Sequence, residues 1–285
     1  MKNSTKNLLV LMCILAGSSC ADSDNYKTPA DYELTKPIVY KMPGDLDEIS
    51  GIAFRGGNKD KLYAVQDEDG KLFYFSLGDK KTNYTKFYKK GDYEDLAICN
   101  EYAIMLRNDG TLFSFLLSAI DQPEIDTVNE QRGLLPQGEY ESLFADQNEN
   151  SLYILCKNCD NDKRNEMVSG YELQLENDGK LSKKSYFFID TKIAANLKGE
   201  KKINFKPSAL AKNKLTGEWY IISSVNKMLL ITDDQWKPKF TYLLNPKLFP
   251  QPEGIAFDNV GNLYVSNEAD GRGCGTVLQF LFKKK

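Results

Sequence analysis

The chain has 285 residues, a formal net charge of −3 and no histidine. Lacking His, it cannot hold a Ser-His-Asp triad, a Cys-His pair or a His-ligated metal, so any catalysis would run on carboxylates, Lys, Tyr or a hard metal ion. No basic stripe with interleaved aromatics is present, which argues against nucleic acid as a partner.

In chain order, the first element is a processing segment. Lys2 and Lys6 form a basic region, Leu8 to Ala16 a short apolar run, and Gly17-Ser18-Ser19 leads into Cys20. The run suits a signal peptide and is too short to span a bilayer. Small residues before a Cys resemble a bacterial lipobox, although Gly17 stands where the usual motif has Leu. The expectation is a signal over residues 1–19, lipidation of Cys20, a polar tether over residues 20–34 and one domain over residues 35–285. This places the protein at the bacterial cell envelope, as an outer-membrane lipoprotein facing the periplasm or the surface.

The domain reads as short strands separated by turns, rich in Tyr, Phe, Ile and Leu with period-two alternation. Gly51 to Phe54, Lys61 to Gln66, Lys71 to Leu77 and Asn83 to Tyr88 form a first group of four. Tyr102 to Leu106 and Thr111 to Leu116 follow, then Ser151 to Cys156, Gly170 to Leu175 and Ser185 to Ile189. Glu218 to Ser223, Met228 to Thr232 and Phe240 to Leu244 form a fourth group; Asn262 to Ser266 and Val277 to Phe282 close the series. Asp160 to Glu166 reads as an exposed loop, and Thr191 to Lys202 as helical. Cys156-Lys157-Asn158-Cys159 lies at a strand end without the βαβ context of a redox motif, so it reads as a local disulfide or as two inert thiols.

A short phrase recurs five times: Ile49 to Phe54, Tyr93 to Ile98, Tyr140 to Ala145, Pro207 to Ala211 and Pro252 to Phe257. With Ser50, Glu94, Glu141, Ser208 and Glu253 in register, the steps are 44, 47, 67 and 45 residues. Such a period carrying short strands is the signature of a β-propeller with four-stranded blades. The expected fold is therefore all-β, a single propeller of five blades, or six if a degenerate blade hides in the long step. The chain ends on the third strand of its last repeat, so Lys36 to Lys41 should supply the missing outer strand and close the ring.

Equivalent positions of all blades face one axis, so Ser50, Glu94, Glu141, Ser208 and Glu253 should converge there, with Glu48 able to face the same way. A second ring follows the second strands: Asp67, Arg107, Lys157, Ser224 and Glu268, with Asn267 just before. Carboxylates about 6 Å apart at an effective dielectric near 20 repel by roughly 3 kcal/mol per pair. A Ca²⁺ or Mg²⁺ ion would relieve this, as would Arg107 and Lys157 reaching inward, or raised carboxylate pKa values. The plainer alternative is architectural: each Glu or Ser caps a strand entry by accepting backbone N–H groups from the next blade.

The phrases EISGIAF, DYEDLAI, EYESLFA, KPSALA and QPEGIAFDNVGNLYVSNE resemble the SdiA-regulated, YjiK-like propeller family of bacterial envelope proteins, over most of residues 36–282. Asp95 and Ser142 stand where that family tends to have Gly. The resemblance implies a propeller at the envelope and supplies no catalytic residues to carry over. Similar wording occurs in NHL-type and gluconolactonase-like propellers, some of which hold Ca²⁺ on the axis. Three functions stay open: a binding module for a protein, glycan or small-molecule ligand; a metal-dependent lactonase or phosphoesterase using axial carboxylates; and a structural part of an envelope complex.

Overall fold

A computed structural model describes residues 26–284 apart from 161, 163–165, 270 and 272. The signal segment and Cys20 lie outside the described residues, as does most of the loop expected over Asp160 to Glu166. Twenty strands form five four-stranded antiparallel sheets. Blade 1 is β2 (Ile49–Phe54), β3 (Leu62–Gln66), β4 (Lys71–Phe75) and β5 (Asn83–Lys86). Blade 2 is β6 (Tyr93–Cys99), β7 (Tyr102–Arg107), β8 (Leu112–Leu116) and β9 (Asn129–Gln131). Blade 3 is β10 (Glu139–Asp146), β11 (Ser151–Asn158), β12 (Met167–Leu175) and β13 (Leu181–Asp190). Blade 4 is β14 (Ala209–Lys212), β15 (Trp219–Ser223), β16 (Met228–Thr232) and β17 (Pro238–Leu243). Blade 5 combines β18 (Pro252–Phe257), β19 (Leu263–Asn267) and β20 (Thr276–Phe280) with β1 (Ile38–Lys41), where Ile38 pairs with Gln279 and Lys41 with Thr276.

The innermost strand of each blade touches that of the next, and β18 touches β2, so five blades complete the circle. The core is divided accordingly into five apolar clusters, one between each pair of neighbouring blades. Among the described residues, no sixth blade occupies the 67-residue step. The extra length goes into β11, β12 and β13, of 8, 9 and 10 residues, and into helix α1 (Thr191–Lys198). Asp190 caps that helix by accepting from the backbone N–H groups of Lys192 and Ile193, and Gly199 ends it in the left-handed conformation. On the opposite end of the propeller from the strand entries, Tyr32 is fully buried in the cluster between blades 4 and 5. Its hydroxyl donates to the Gly261 carbonyl at 2.7 Å and accepts from Asn213 Nδ2 at 2.9 Å.

Candidate functional site

The register residues are aimed by a repeated backbone device. In blade 2, Tyr93 pairs with Arg107 and Asp95 with Leu106, leaving Glu94 as an extra residue. Glu141 is left over in the same way between Tyr140 and Ser142, and Glu253 between Pro252 and Gly254. Each glutamate therefore occupies a β-bulge, which interrupts the ladder and re-aims one side chain. The residue after the bulge meets the next blade at close range. A Cβ on Gly51 would sit 2.1 Å from Asp95 Oδ1, and one on Gly254 would sit 2.6 Å from the Ser50 carbonyl.

The ladder also defines the second ring. Arg107, Cys156 and Asn267 lie opposite Tyr93, Tyr140 and Pro252. The residues that follow them, Asn108, Lys157 and Glu268, are thus the equivalent positions. Arg107 is one residue out of register, and in a strand such a slip turns a side chain to the opposite face. It binds Asp109 at 2.7 and 3.0 Å, donates to Thr111 Oγ1 and lies over the Phe113 ring, turned away from the acidic site. Asn108 takes its place and donates to Glu94 Oε1 at 2.8 Å. In the sequence Asn108 opens an Asn-Asp-Gly stretch between two strands and carries no other mark of this role.

The structure brings most of the remaining residues together. Lys157 pairs with Glu141, Ser224 hydrogen-bonds Glu253, and Gln251 donates to Glu268 at 2.5 Å. Asp67 lies within electrostatic reach of Glu48 and Glu268. Ser208 is architectural: its hydroxyl donates to the Pro252 carbonyl at 2.9 Å and accepts from the Ser224 N–H. Ser50 is buried with its hydroxyl unpartnered, while its carbonyl accepts from Ser266 Oγ at 2.6 Å. Asn267 is fully buried and donates to Thr276 Oγ1, leaving its Oδ1 without a partner.

The backbone-capping role falls to Asp95, which the sequence marked only as a departure from Gly. Its carboxylate accepts from the Leu143 N–H of the next blade at 2.6 Å and from its own neighbour Leu96 at 2.8 Å. Burial pushes its pKa well up, and those two N–H bonds hold it back.

Electrostatically, this upper mouth is over-supplied with carboxylates. Burial, and then the nearby Glu141, push Glu94 up to about 9, against the Asn108 hydrogen bond and Lys157. Burial raises Glu253 to about 8, with Glu141 and Glu268 adding to it, and Glu268 to about 7, with Asp67 and Glu48 adding. Asp67 is pushed up to about 6 by burial and by Glu48. Glu141 is also raised by burial, but Lys157 restrains it. Burial lowers Lys227, which donates to the Pro250 carbonyl beside Glu253. Lys157 and raised pKa values thus relieve the repulsion; Arg107 does not. Five of the eight buried side-chain atoms without a protein partner among the described residues belong to this region: Ser50 Oγ, Asp67 Oδ1, Glu141 Oε2, Ser142 Oγ and Asn267 Oδ1.

These residues suit a cation in charge and in unsatisfied acceptors, but they do not form a tight chelate. Among the described residues, the one trio with ligand atoms within 4.8 Å of one another is Cys156, Cys159 and Asp162. There the two sulfurs are joined as a disulfide, and Asp162 is engaged by the Ser169 N–H and hydroxyl. Beyond the glutamates, Ile52, Leu96, Leu143, Leu210 and Ile255 begin an axial cavity of about 170 Å³ that extends to Gly56, Gln147, Lys214 and Asn259 at the lower mouth.

The profile of the SdiA-regulated family matches residues 175–270, in line with the resemblance read from the phrases. No protein of curated function matches the sequence. Among solved structures, a luciferin-regenerating enzyme is 13% identical, with a TM-score of 0.55 over 88% of this chain and 98% of that one. Glutaminyl cyclase from Myxococcus xanthus is 15% identical, with a TM-score of 0.55 over 87% of this chain and 96% of that one. At such identities the likeness is one of fold.

Proposed function

We propose that this chain is an exported, lipid-anchored propeller that serves as a binding module at the cell envelope and takes a cation at its acidic upper mouth. The anchor and location rest on Lys2, Lys6, the Leu8–Ala16 run and Cys20. One observation carries the cation: Glu141 is 6% exposed and leaves Oε2 without a partner, inside a group of carboxyls, Glu48, Asp67, Glu94, Glu253 and Glu268, of which Glu94 and Glu253 keep protons near neutral pH that an entering ion would displace. The spread of the oxygens favours an ion held partly through water over three direct carboxylate ligands, and Ca²⁺ or Mg²⁺ keeps waters readily in such settings. An ammonium group on a small molecule, glycan or protein meets the same chemistry.

The test is metal content of the purified protein, with melting curves in EDTA, Ca²⁺, Mg²⁺ and 1,5-diaminopentane. Stabilisation by divalent ions assigns the mouth to metal, and stabilisation by the diamine alone assigns it to an organic cation. Indifference to all of them sinks the reading and leaves the rings architectural.

A hydrolytic reading has one specific observation behind it. Glu94 and Glu253 hold their protons near neutral pH beside the Glu141–Lys157 ion pair, the divergence of carboxyl environments that acid–base chemistry uses. Turnover in an esterase and lactonase screen that disappears in Glu253→Gln would establish it; no turnover on any ester or lactone removes it.

A further inference from the structure

We infer that the lower rim of blades 4 and 5 is a membrane-facing surface, seated on an anionic lipid bilayer, so that the acidic mouth points away from the membrane. This rests on lipidation of Cys20. The first argument is where the chain comes from. Five residues, 21–25, separate Cys20 from the first described residue, a contour of about 20 Å when extended. The chain then runs onto the lower rim, where Asp31 accepts from the Lys283 N–H at 2.9 Å and Tyr32 is locked between Asn213 and Gly261. A lipid on Cys20 therefore holds this end of the propeller near the headgroups, with the blades between the membrane and the carboxylates.

The second argument is the chemistry of the rim. Leu215 and Val260, in the turns after β14 and β18, are 54% and 58% exposed, and Leu281 at the end of β20 is 56% exposed. Leu215 is held in place by its neighbours, because a Cβ on Gly261 would lie 2.5 Å from its Cδ1. Lys214 and Lys284 stand beside these residues and are exposed, while Lys283 is exposed but paired with Glu33 at 3.4 Å. Aliphatic tips flanked by lysines fit an interface in which the side chains enter the headgroup layer and the ammonium groups meet lipid phosphates.

The experiment uses the lipidated protein in vesicles of phosphatidylethanolamine and phosphatidylglycerol, with lysine acetylation read by mass spectrometry against the same protein in detergent. Lys214 and Lys284 are expected to lose most of their reactivity in vesicles, while Lys89 and Lys90, by the acidic mouth, keep theirs. Equal reactivity at both ends, or protection of Lys89 and Lys90, overturns the orientation. A protein that never enters the vesicle fraction instead refutes the lipid anchor beneath it. Leu215→Glu combined with Val260→Glu should restore the reactivity of Lys214 in protein that is still anchored. Undiminished protection in that variant overturns the patch as the contact surface.

Discussion

Replacing Glu94 with Gln should make the protein more stable at neutral pH, and the gain should vanish in acid. The folded chain holds the Glu94 proton up to about 9, whereas a carboxyl in the unfolded chain releases it near 4.5. Between those values the unfolded state has lost a proton that the folded state keeps, so raising the pH favours unfolding. At about 1.4 kcal/mol per pH unit, the penalty reaches about 3 kcal/mol at neutral pH and fades near pH 4.5. Gln reproduces the protonated carboxyl, can still accept from Asn108 Nδ2, and has no proton to lose. Because Glu94 and Glu141 share one field, part of the gain is taken up by Glu141, leaving about 2–3 kcal/mol. For a chain of this size that corresponds to a rise in Tm of about 4–12 °C. Thermal unfolding of both proteins at about pH 5 and pH 7.5, in EDTA, reads it directly. A difference that is the same at both pH values, or a less stable variant at the higher one, would refute the assignment of a buried proton to Glu94.

Gly51→Ala should cost about 1–3 kcal/mol, since its Cβ would fall 2.1 Å from Asp95 Oδ1 and either the bulge or the carboxylate must move; urea unfolding measures it. Asp95→Ala strands the Leu143 and Leu96 N–H groups, at about 1–3 kcal/mol each, and Asp95→Asn should recover part of the loss in the same assay. Reducing the Cys156–Cys159 disulfide opens a very short loop and should lower stability by only about 2 kcal/mol; a loss of folding on reduction would contradict that size. If a divalent ion binds the upper mouth, it must displace the protons that Glu94 and Glu253 retain up to about 9 and about 8. Calcium affinity should then rise with pH through that range and protons should be released on binding, both visible by calorimetry in buffers of different ionisation heat.

The repeat was legible because blade geometry constrains it at several levels at once. Inner strands recur at one spacing, turns need Asp, Asn or Gly, and Gly51 and Gly254 stand behind the bulge where two blades meet at close range, a position that Asp95 and Ser142 fill in blades 2 and 3. The closing strand was legible because an odd strand at one end matched a missing one at the other. What the sequence could not supply was side-chain facing across a bulge. Arg107 and Asn108 are adjacent, both polar, and both plausible partners for a glutamate, yet only the ladder reveals that Asn108 shares the position of Lys157 and Glu268. Asp95 was hidden for a related reason: its partner is a backbone N–H on another blade, and backbone groups leave no mark in a sequence. Whether the mouth holds a tight metal also depended on distances between side chains, which spacing along the chain does not encode.

The pairing of Ile38 with Gln279 has a kinetic consequence. Blades 1 to 4 are each built from neighbouring segments, so their hairpins close over short loops and form early. Blade 5 alone waits for the two ends of the chain to meet, the costliest loop closure in the molecule and the last that folding can complete. Until then β20 presents a bare edge to any other strand in solution. The same seam is where unfolding should begin, so the lifetime of the native ring is set by four residues near one end of the chain, far from the carboxylates it encloses.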